Sequence, residues 1–193
     1  MMLDLLKQRK SIRNFTEKDV SDEVINYILE AGRLSPSGGN AQSWKFGLIK
    51  DNVLINEISQ IAYNQNWIKT ANFLVVLCTY NGDKSRGGRD IQKSRFPSHA
   101  KIIEDMEDEI YTRLHMKEHQ TKIPGTHMVI AALEHGLGST WISYFNVDEL
   151  SNILNLPKSY IASEIIAFGY PVNNENTTEK KSLSEVVFYN KFI

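Results

Sequence analysis

Residues 73–79 read Phe-Leu-Val-Val-Leu-Cys-Thr, which includes one of the two longest apolar runs in this chain of 193 residues. Hydrophobic side chains occupy consecutive positions rather than alternate ones, so both faces of the segment need to be covered. This pattern is typical of a central β-strand that has helices on each side. The run is far too short to cross a bilayer, which takes about 20 apolar residues.

On the N-terminal side of this strand, the pattern predicts a helix, a strand and a second helix. Ser21 can cap the first of these helices, whose first turn is acidic, and Pro36 ends it. The strand begins near Trp44, and the second helix covers residues 54–62. Secondary-structure elements therefore alternate up to the central run.

On the C-terminal side, residues 126–135 are nearly apolar all round, which predicts a central helix. Gly136 is a natural left-handed stop for it. Residues 141–142 and 165–168 are expected to be strands. Between the central run and this helix, residues 80–97 are rich in Gly, Ser, Lys and Arg and predict a loop, and an acidic helix is expected at residues 102–119. The alternation favours an α/β or α+β domain.

Charge and composition exclude several classes of protein. Lys and Arg number 22 against 23 Asp and Glu, a formal net charge of -1, so nothing draws the chain as a whole to nucleic acid or to an anionic membrane. The first nine residues lack the apolar run of a signal peptide, and we expect a cytoplasmic protein. The one cysteine, Cys78, cannot form an internal disulfide and is interpreted as part of the strand core.

A cluster of cations lies near the N-terminus, in Arg9-Lys10-Ser11-Ile12-Arg13. A phosphate group carries about 1.5 to 2 negative charges at neutral pH and accepts charge-assisted hydrogen bonds from guanidinium groups. The cluster is therefore a candidate phosphate site. The alternative is a solvated helix end, where cations interact favourably with the helix dipole.

A second candidate is the loop Pro36-Ser37-Gly38-Gly39-Asn40-Ala41-Gln42. Its glycines let backbone amides approach a ligand, and its amide side chains can bind the edge of a heterocycle. The alternative is a plain turn between a helix and a strand.

A competing hypothesis comes from His115-Met116-Lys117-Glu118-His119, which matches the H-x-x-E-H pattern of inverted zinc peptidases. His115 and His119 would bind the metal, and Glu118 would activate water. An exposed polar helix explains the same residues, because acidic side chains crowd the segment before them. The sequence has no Walker A loop, and no G-x-G-x-x-G follows a predicted strand.

Four motifs, in the same order and with similar spacing, resemble the nitroreductase family of FMN enzymes. Residues 9–15 resemble R-R-S-x-R-x-F, and residues 33–44 resemble R-x-A-P-S-x-x-N-x-Q-P-W. Residues 136–142 resemble G-L-G-S-x-W-I, and residues 169–171 followed by residues 180–187 resemble G-Y-P...K-K-P-L-x-E-V-V. Residues 80–120 show no match.

The resemblance implies an FMN site. Arg9, Lys10 and Ser11 would hold the FMN phosphate, joined from the other end of the chain by Lys180 and Lys181.

Other parts of the flavin would meet other residues. Arg13 would face the flavin pyrimidine edge, where a cation stabilises negative charge. Ser143 and Tyr144 would surround flavin N5, and Asn66 and Lys69 would lie at the polar edge.

The glycine loop would contribute to the same site. By resemblance, its residues would line the flavin from the partner subunit or from its edge, through Ser37, Gly38, Asn40 and Gln42. The chain departs from the family pattern at Ser43, where a proline is usual, and at Ser143-Tyr144, where glycine-containing pairs are common.

The resemblance also implies a fold, an oligomeric state and an activity. Residues 1–193 would form one FMN-binding α+β sandwich with a mostly antiparallel central sheet flanked by helices, in an intertwined homodimer. The tail, residues 172–193, would pack on the partner subunit. NADH or NADPH would reduce the flavin, and small acceptors such as nitroaromatics, quinones or flavins would oxidise it by ping-pong turnover without a covalent nucleophile. The alternatives are specialised flavin chemistry on one metabolite, or the zinc hydrolase.

Overall fold

The structure of the protein is a computed structural model that describes residues 2–80, 89–108, 110–111, 121–173 and 179–191. The strands within these residues are β1 (Trp44–Ile49), β2 (Phe73–Tyr80), β3 (Gly138–Ile142) and β4 (Tyr160–Gly169). The helices are Met2–Gln8, Asp22–Arg33, Asn52–Ile61, Arg89–Arg95, Ala100–Asp105, Lys122–Glu134, Val147–Ile153 and Leu183–Val186. Short 3₁₀ turns cover Gly38–Asn40, Asn66–Thr70 and Pro97–His99.

The four strands form one sheet in the order β1-β2-β4-β3, and each neighbouring pair is antiparallel. β2 therefore lies inside the sheet, and its residues from Phe73 to Thr79 are all buried. The prediction of a central strand covered on both faces is confirmed, as is the α+β fold with an antiparallel sheet.

Helices cover the two faces of the sheet. On one face, Ile28 of the Asp22–Arg33 helix and Met128 of the Lys122–Glu134 helix pack against the stacked rings of Phe73 and Phe168. On the other face, the Asn52–Ile61 and Val147–Ile153 helices pack with the Asn66–Thr70 turn against alternate residues of the same strands. Successive side chains of β2 point to opposite faces of the sheet, and helices cover both faces, so every position of the β2 run is buried and apolar.

The central helix begins earlier than its pattern indicates, at Lys122 rather than at residue 126. Pro124 is tolerated there because it lies in the first turn, where a backbone N–H has no helical partner. The helix ends as expected, since Gly136 has a φ of 73° and takes the left-handed conformation.

Two expectations for the segment after β2 are wrong. The acidic segment is not one continuous helix from residue 102, because the Ala100–Asp105 helix is followed by Met106, whose backbone is extended, and helical residues resume at 108, 110 and 111. The region that was expected to be a loop contains the Arg89–Arg95 helix, in which Lys93 pairs with Asp90 at 2.9 Å. The rest of these predictions falls on residues 81–88 and 112–120, which lie outside the described residues.

No helix in the described part of the chain combines the length and the apolar composition needed to cross a membrane.

Candidate functional site

The cation cluster lies along the outer edge of β3. Ser11 pairs with Ser139 as a parallel bridge, and the Ile12 N–H donates to the Ser139 carbonyl at 3.0 Å. The Thr140 hydroxyl donates to the Ile12 carbonyl. Because the Ile12 side chain is buried, Ser11 and Arg13 on either side of it are exposed at the sheet edge.

Gly138 makes this close approach possible. A Cβ at position 138 would lie 2.5 Å from Ile12 Cγ1 and 2.9 Å from Ile12 Cβ. Glycine is therefore required where the G-L-G motif meets the cation cluster.

We expect Gly138→Ala to displace Ile12 and to destabilise the protein by about 1–3 kcal/mol, the usual cost of overpacking a buried site. Urea unfolding would measure the loss. The matched control is Gly47→Ala in β1, where a Cβ would meet Val76 Cβ at an ordinary 3.5 Å. Equal effects of the two substitutions would contradict this explanation.

The Asn66–Thr70 turn lies beside Arg13. Thr70 Oγ1 accepts the Phe15 N–H at 3.2 Å, which joins this turn to the N-terminal segment. The Arg13 guanidinium lies 5.9 Å from the centre of the Trp67 ring. A cation and an aromatic face thus form one surface, with the exposed Lys69 on the same turn.

The residues after β3 reach the same turn. Gln65 Nε2 donates to the Tyr144 carbonyl at 3.0 Å, and the rings of Tyr63 and Tyr144 stack with centroids 4.1 Å apart. Ser143 lies immediately before Tyr144. Three segments that are distant in sequence therefore meet at one edge of the sheet.

The glycine loop lies at the opposite edge. It leads into β1, and the Tyr80 N–H donates to the Ser43 carbonyl at 2.9 Å. Ser37 Oγ accepts the Gln42 N–H at 3.0 Å, and Gln42 Nε2 donates to Asn40 Oδ1 at 3.1 Å. The N-terminal segment that carries Arg13 lies outside β3, four strand spacings from β1. At about 4.8 Å per spacing, the two edges are roughly 19 Å apart.

Comparison with known proteins assigns the family. The sequence pattern of the Nitroreductase family matches residues 6–170. The chain belongs to the Nitroreductase family. The prediction of a nitroreductase-type oxidoreductase is confirmed, and the family's matched range includes the cation cluster, the glycine loop and the Ser143–Tyr144 pair.

Two relatives of this family member match over nearly their whole length. YfkO of Bacillus subtilis, provisionally named an NAD(P)H nitroreductase, is 26% identical over 215 residues, covering 96% of both chains. The iodotyrosine deiodinase of Thermotoga neapolitana is 25% identical over 200 residues, covering 100% of this chain and 99% of the relative.

A solved structure has the same fold. The NADPH:FMN oxidoreductase of Vibrio harveyi, complexed with NAD⁺, superposes with a TM-score of 0.75 at 21% identity. The match covers 100% of this chain and 78% of that one.

The donor set at the β3 edge fits FMN. Guanidinium and ammonium groups suit a phosphate and an electron-rich pyrimidine edge, and the aromatic side chains suit a planar ring system. Arg13, the exposed Lys69 and the Ser143–Tyr144 pair lie on the three segments that meet at this edge, and their roles toward a flavin stay predictions. Arg9 continues the same segment, and Lys10 lines a small cleft with Leu133 and Gly138.

Two of the predicted phosphate ligands lie on the exposed tail. Lys180 and Lys181 are both exposed in the single chain. Their role in the phosphate site stays a prediction.

Cys78 is buried within β2, 2% exposed, as its strand-core interpretation predicts. Burial raises the pKa of its thiol to about 11. At pH 7 the thiolate fraction is then on the order of one in ten thousand.

We expect Cys78 to resist aromatic disulfide reagents in the native protein at pH 7 and to react once the chain is unfolded in guanidinium. Absorbance of the released thiolate measures both. Rapid stoichiometric modification of the native protein would overturn this prediction.

The residues of the zinc hypothesis, His115, Glu118 and His119, lie outside the described residues. In the part of the chain that the structure describes, no group of three or more His, Cys, Asp or Glu side chains could hold a metal ion.

Sequence reasoning missed several residues of the site. Trp67, Tyr63 and Gln65 carry no motif, and only the packing of the turn brings them to Arg13 and Tyr144. Glu164 did carry a signal, because it is the one charged residue in the β4 strand. A charge inside a buried strand needs a partner, and that requirement could have marked it.

Proposed function

We propose that this nitroreductase is an FMN-dependent enzyme that passes electrons from NADH or NADPH to small electron-poor acceptors. Nitroaromatics, quinones and flavins are the acceptor classes, and donor and acceptor would use one site in turn, by a ping-pong cycle. FMN supplies the hydride chemistry through its N5 atom when it is bound. The observation that carries the proposal is the meeting of Arg13 and Trp67 with Ser143–Tyr144 at one edge of the sheet.

Each segment of the chain has a separate task in this proposal. Arg9, Lys10 and Ser11 bind the phosphate, and the pairing of Ile12 with β3 fixes their direction. Arg13 holds a positive charge at the pyrimidine edge, where negative charge develops. Ser143 and Tyr144 orient the reactive side of the ring, and no side chain acts as a covalent nucleophile.

A second copy of the chain completes the proposed site. Ser37, Gly38, Asn40 and Gln42 lie at the β1 edge, away from Arg13, so they would line a flavin held by the partner. The exposed apolar side chains of the tail support the same arrangement. Leu183 is 75% exposed and Phe188 is 58% exposed in the single chain. A homodimer would cover them.

A narrower activity is the second candidate. The full-length relative named iodotyrosine deiodinase carries a single-substrate name. In this chain, Tyr63 and Tyr144 form an exposed stacked pair beside the proposed flavin site, at 51% and 67% exposure. Such a pair could select one planar aromatic acceptor. A kcat/KM for one acceptor that exceeds all others by orders of magnitude would favour this candidate.

The test is the absorption spectrum of the purified protein. We expect a yellow protein that releases FMN, rather than FAD, on denaturation, because the cation cluster suits one terminal phosphate. Oxidation of NADH or NADPH with an added acceptor would distinguish an enzyme from a flavin-binding protein. A colourless protein that takes up no added FMN would reject the proposal, and stoichiometric zinc in that protein would favour the hydrolase.

A further inference from the structure

A buried carboxylate lies behind the Ser143–Tyr144 pair. Glu164, in β4, is 4% exposed. The Ser143 hydroxyl donates to its Oε2 at 2.5 Å, and Lys122 Nζ lies 3.1 Å from its Oε1. A carboxylate at this depth is costly unless both oxygens have partners, so loss of either contact is penalised.

A β-bulge directs polar side chains toward this place. The register changes so that Leu77 is opposite Glu164 while Cys78 is opposite Ala162, which leaves Ser163 as the extra residue. Ser163 Oγ lies 2.5 Å from Thr79 Oγ1, which is 3.2 Å from Thr121 Oγ1. Bulges commonly re-aim side chains next to active sites.

The bulge therefore places two consecutive polar residues of β4 against the start of the Lys122–Glu134 helix. Ser163 belongs to a hydroxyl network that includes Thr121, whereas Glu164 contacts both the helix and the loop after β3. Glu164 thus links the helix start to Ser143.

The Ser143–Tyr144 backbone is thus held from two directions. Glu164 accepts the Ser143 hydroxyl from the sheet side, and Gln65 Nε2 donates to the Tyr144 carbonyl from the turn side. A buried ion pair is weak evidence for stability, since apolar side chains of similar volume are often as stabilising. The Glu164–Lys122 pair is therefore better explained by the need to fix the position of the Ser143–Tyr144 loop.

We infer that Glu164 is a positioning residue that fixes the Ser143–Tyr144 backbone through the Ser143 hydroxyl, with Lys122 as its counter-ion. The consequence for the flavin rests on the proposed function, because there this backbone orients the reactive side of the ring. The fixed backbone itself does not depend on flavin.

The experiment begins with the flavin-free protein and measures NMR order parameters of the backbone amides of Ser143 and Tyr144. We expect values near 0.85 in the wild type and below about 0.6 in Ser143→Ala, which removes the donor. Glu164→Gln keeps an oxygen that can accept the Ser143 hydroxyl, so the loop should stay rigid. Ser163→Ala is the matched control, because Ser163 belongs to the neighbouring network, and it too should leave the loop rigid.

The same variants are then measured with FMN bound. Ser143→Ala should slow reduction of the flavin roughly tenfold, the effect of one lost hydrogen bond to a charged group, and shift its visible absorption bands. Glu164→Gln should keep the wild-type bands. A rigid loop in Ser143→Ala, or a mobile loop in Glu164→Gln, would overturn the inference. If the protein binds no FMN, the order parameters still decide the role of Glu164, whereas the proposed function alone fails.

Discussion

Truncation after Asn173 is expected to abolish both the dimer and FMN binding. The described tail exposes Leu183, Val186, Val187 and Phe188, and full burial of each on a partner would contribute about 1.5–3 kcal/mol. The same tail carries Lys180 and Lys181, which are proposed to hold the FMN phosphate, so docking of the tail and binding of the phosphate should be coupled. Light scattering and the flavin-to-protein ratio measure the two losses.

The cut leaves the local contacts of the preceding residues in place. Phe15 pairs with Pro171, and the Val172 N–H donates to the Asn14 carbonyl at 3.1 Å, so the N-terminal segment keeps these bonds. The matched control is the double variant Lys180→Ala and Lys181→Ala, which should stay dimeric while it binds FMN more weakly. A truncated protein that remains a dimer with full FMN would show that the tail serves neither purpose.

Replacement of Arg13 by Ala is expected to slow reduction of the flavin by about 10²–10³-fold, the usual loss when a fixed donor is removed from a site of developing charge. Arg13 is exposed at the edge of β3, 5.9 Å from the Trp67 ring, so its removal leaves the core intact. Stopped-flow reduction by NADH, in protein saturated with FMN, measures the effect.

Arg9→Ala is the control for this prediction. Arg9 is proposed to bind the phosphate, so its loss should weaken FMN binding and leave the reduction rate of the saturated protein nearly unchanged. The opposite pattern, with weak binding in Arg13→Ala and a normal reduction rate, would move Arg13 to the phosphate group.

Some features of the fold could be predicted from the sequence because they depend on the pattern of apolar residues and glycines within one short segment. The apolar residues of β2 specify a strand buried on both faces, and Gly136 specifies the helix end. The Leu183–Val186 helix was missed, although Ser182 and Glu185 form a capping box there. That S-x-x-E spacing is the pattern that predicts a helix start.

The boundaries of the central elements were less well predicted than their existence. β4 runs from Tyr160 to Gly169, beyond the expected residues 165–168, because its bulge interrupts the alternation of apolar and polar residues. A bulge arises from the register with a neighbouring strand, which one segment of sequence does not contain.

The sequence by itself determined the types of the central strands and helices, the burial of Cys78 and the motifs that mark the family. Only the tertiary structure decided which candidates meet: Arg13 beside Trp67, and the glycine loop at the far edge of the sheet. The tertiary structure also decided that Glu164 contacts Ser143 and Lys122. The physical reason is that burial follows from local periodicity, whereas contacts between distant segments depend on strand order and register, which the whole chain sets together.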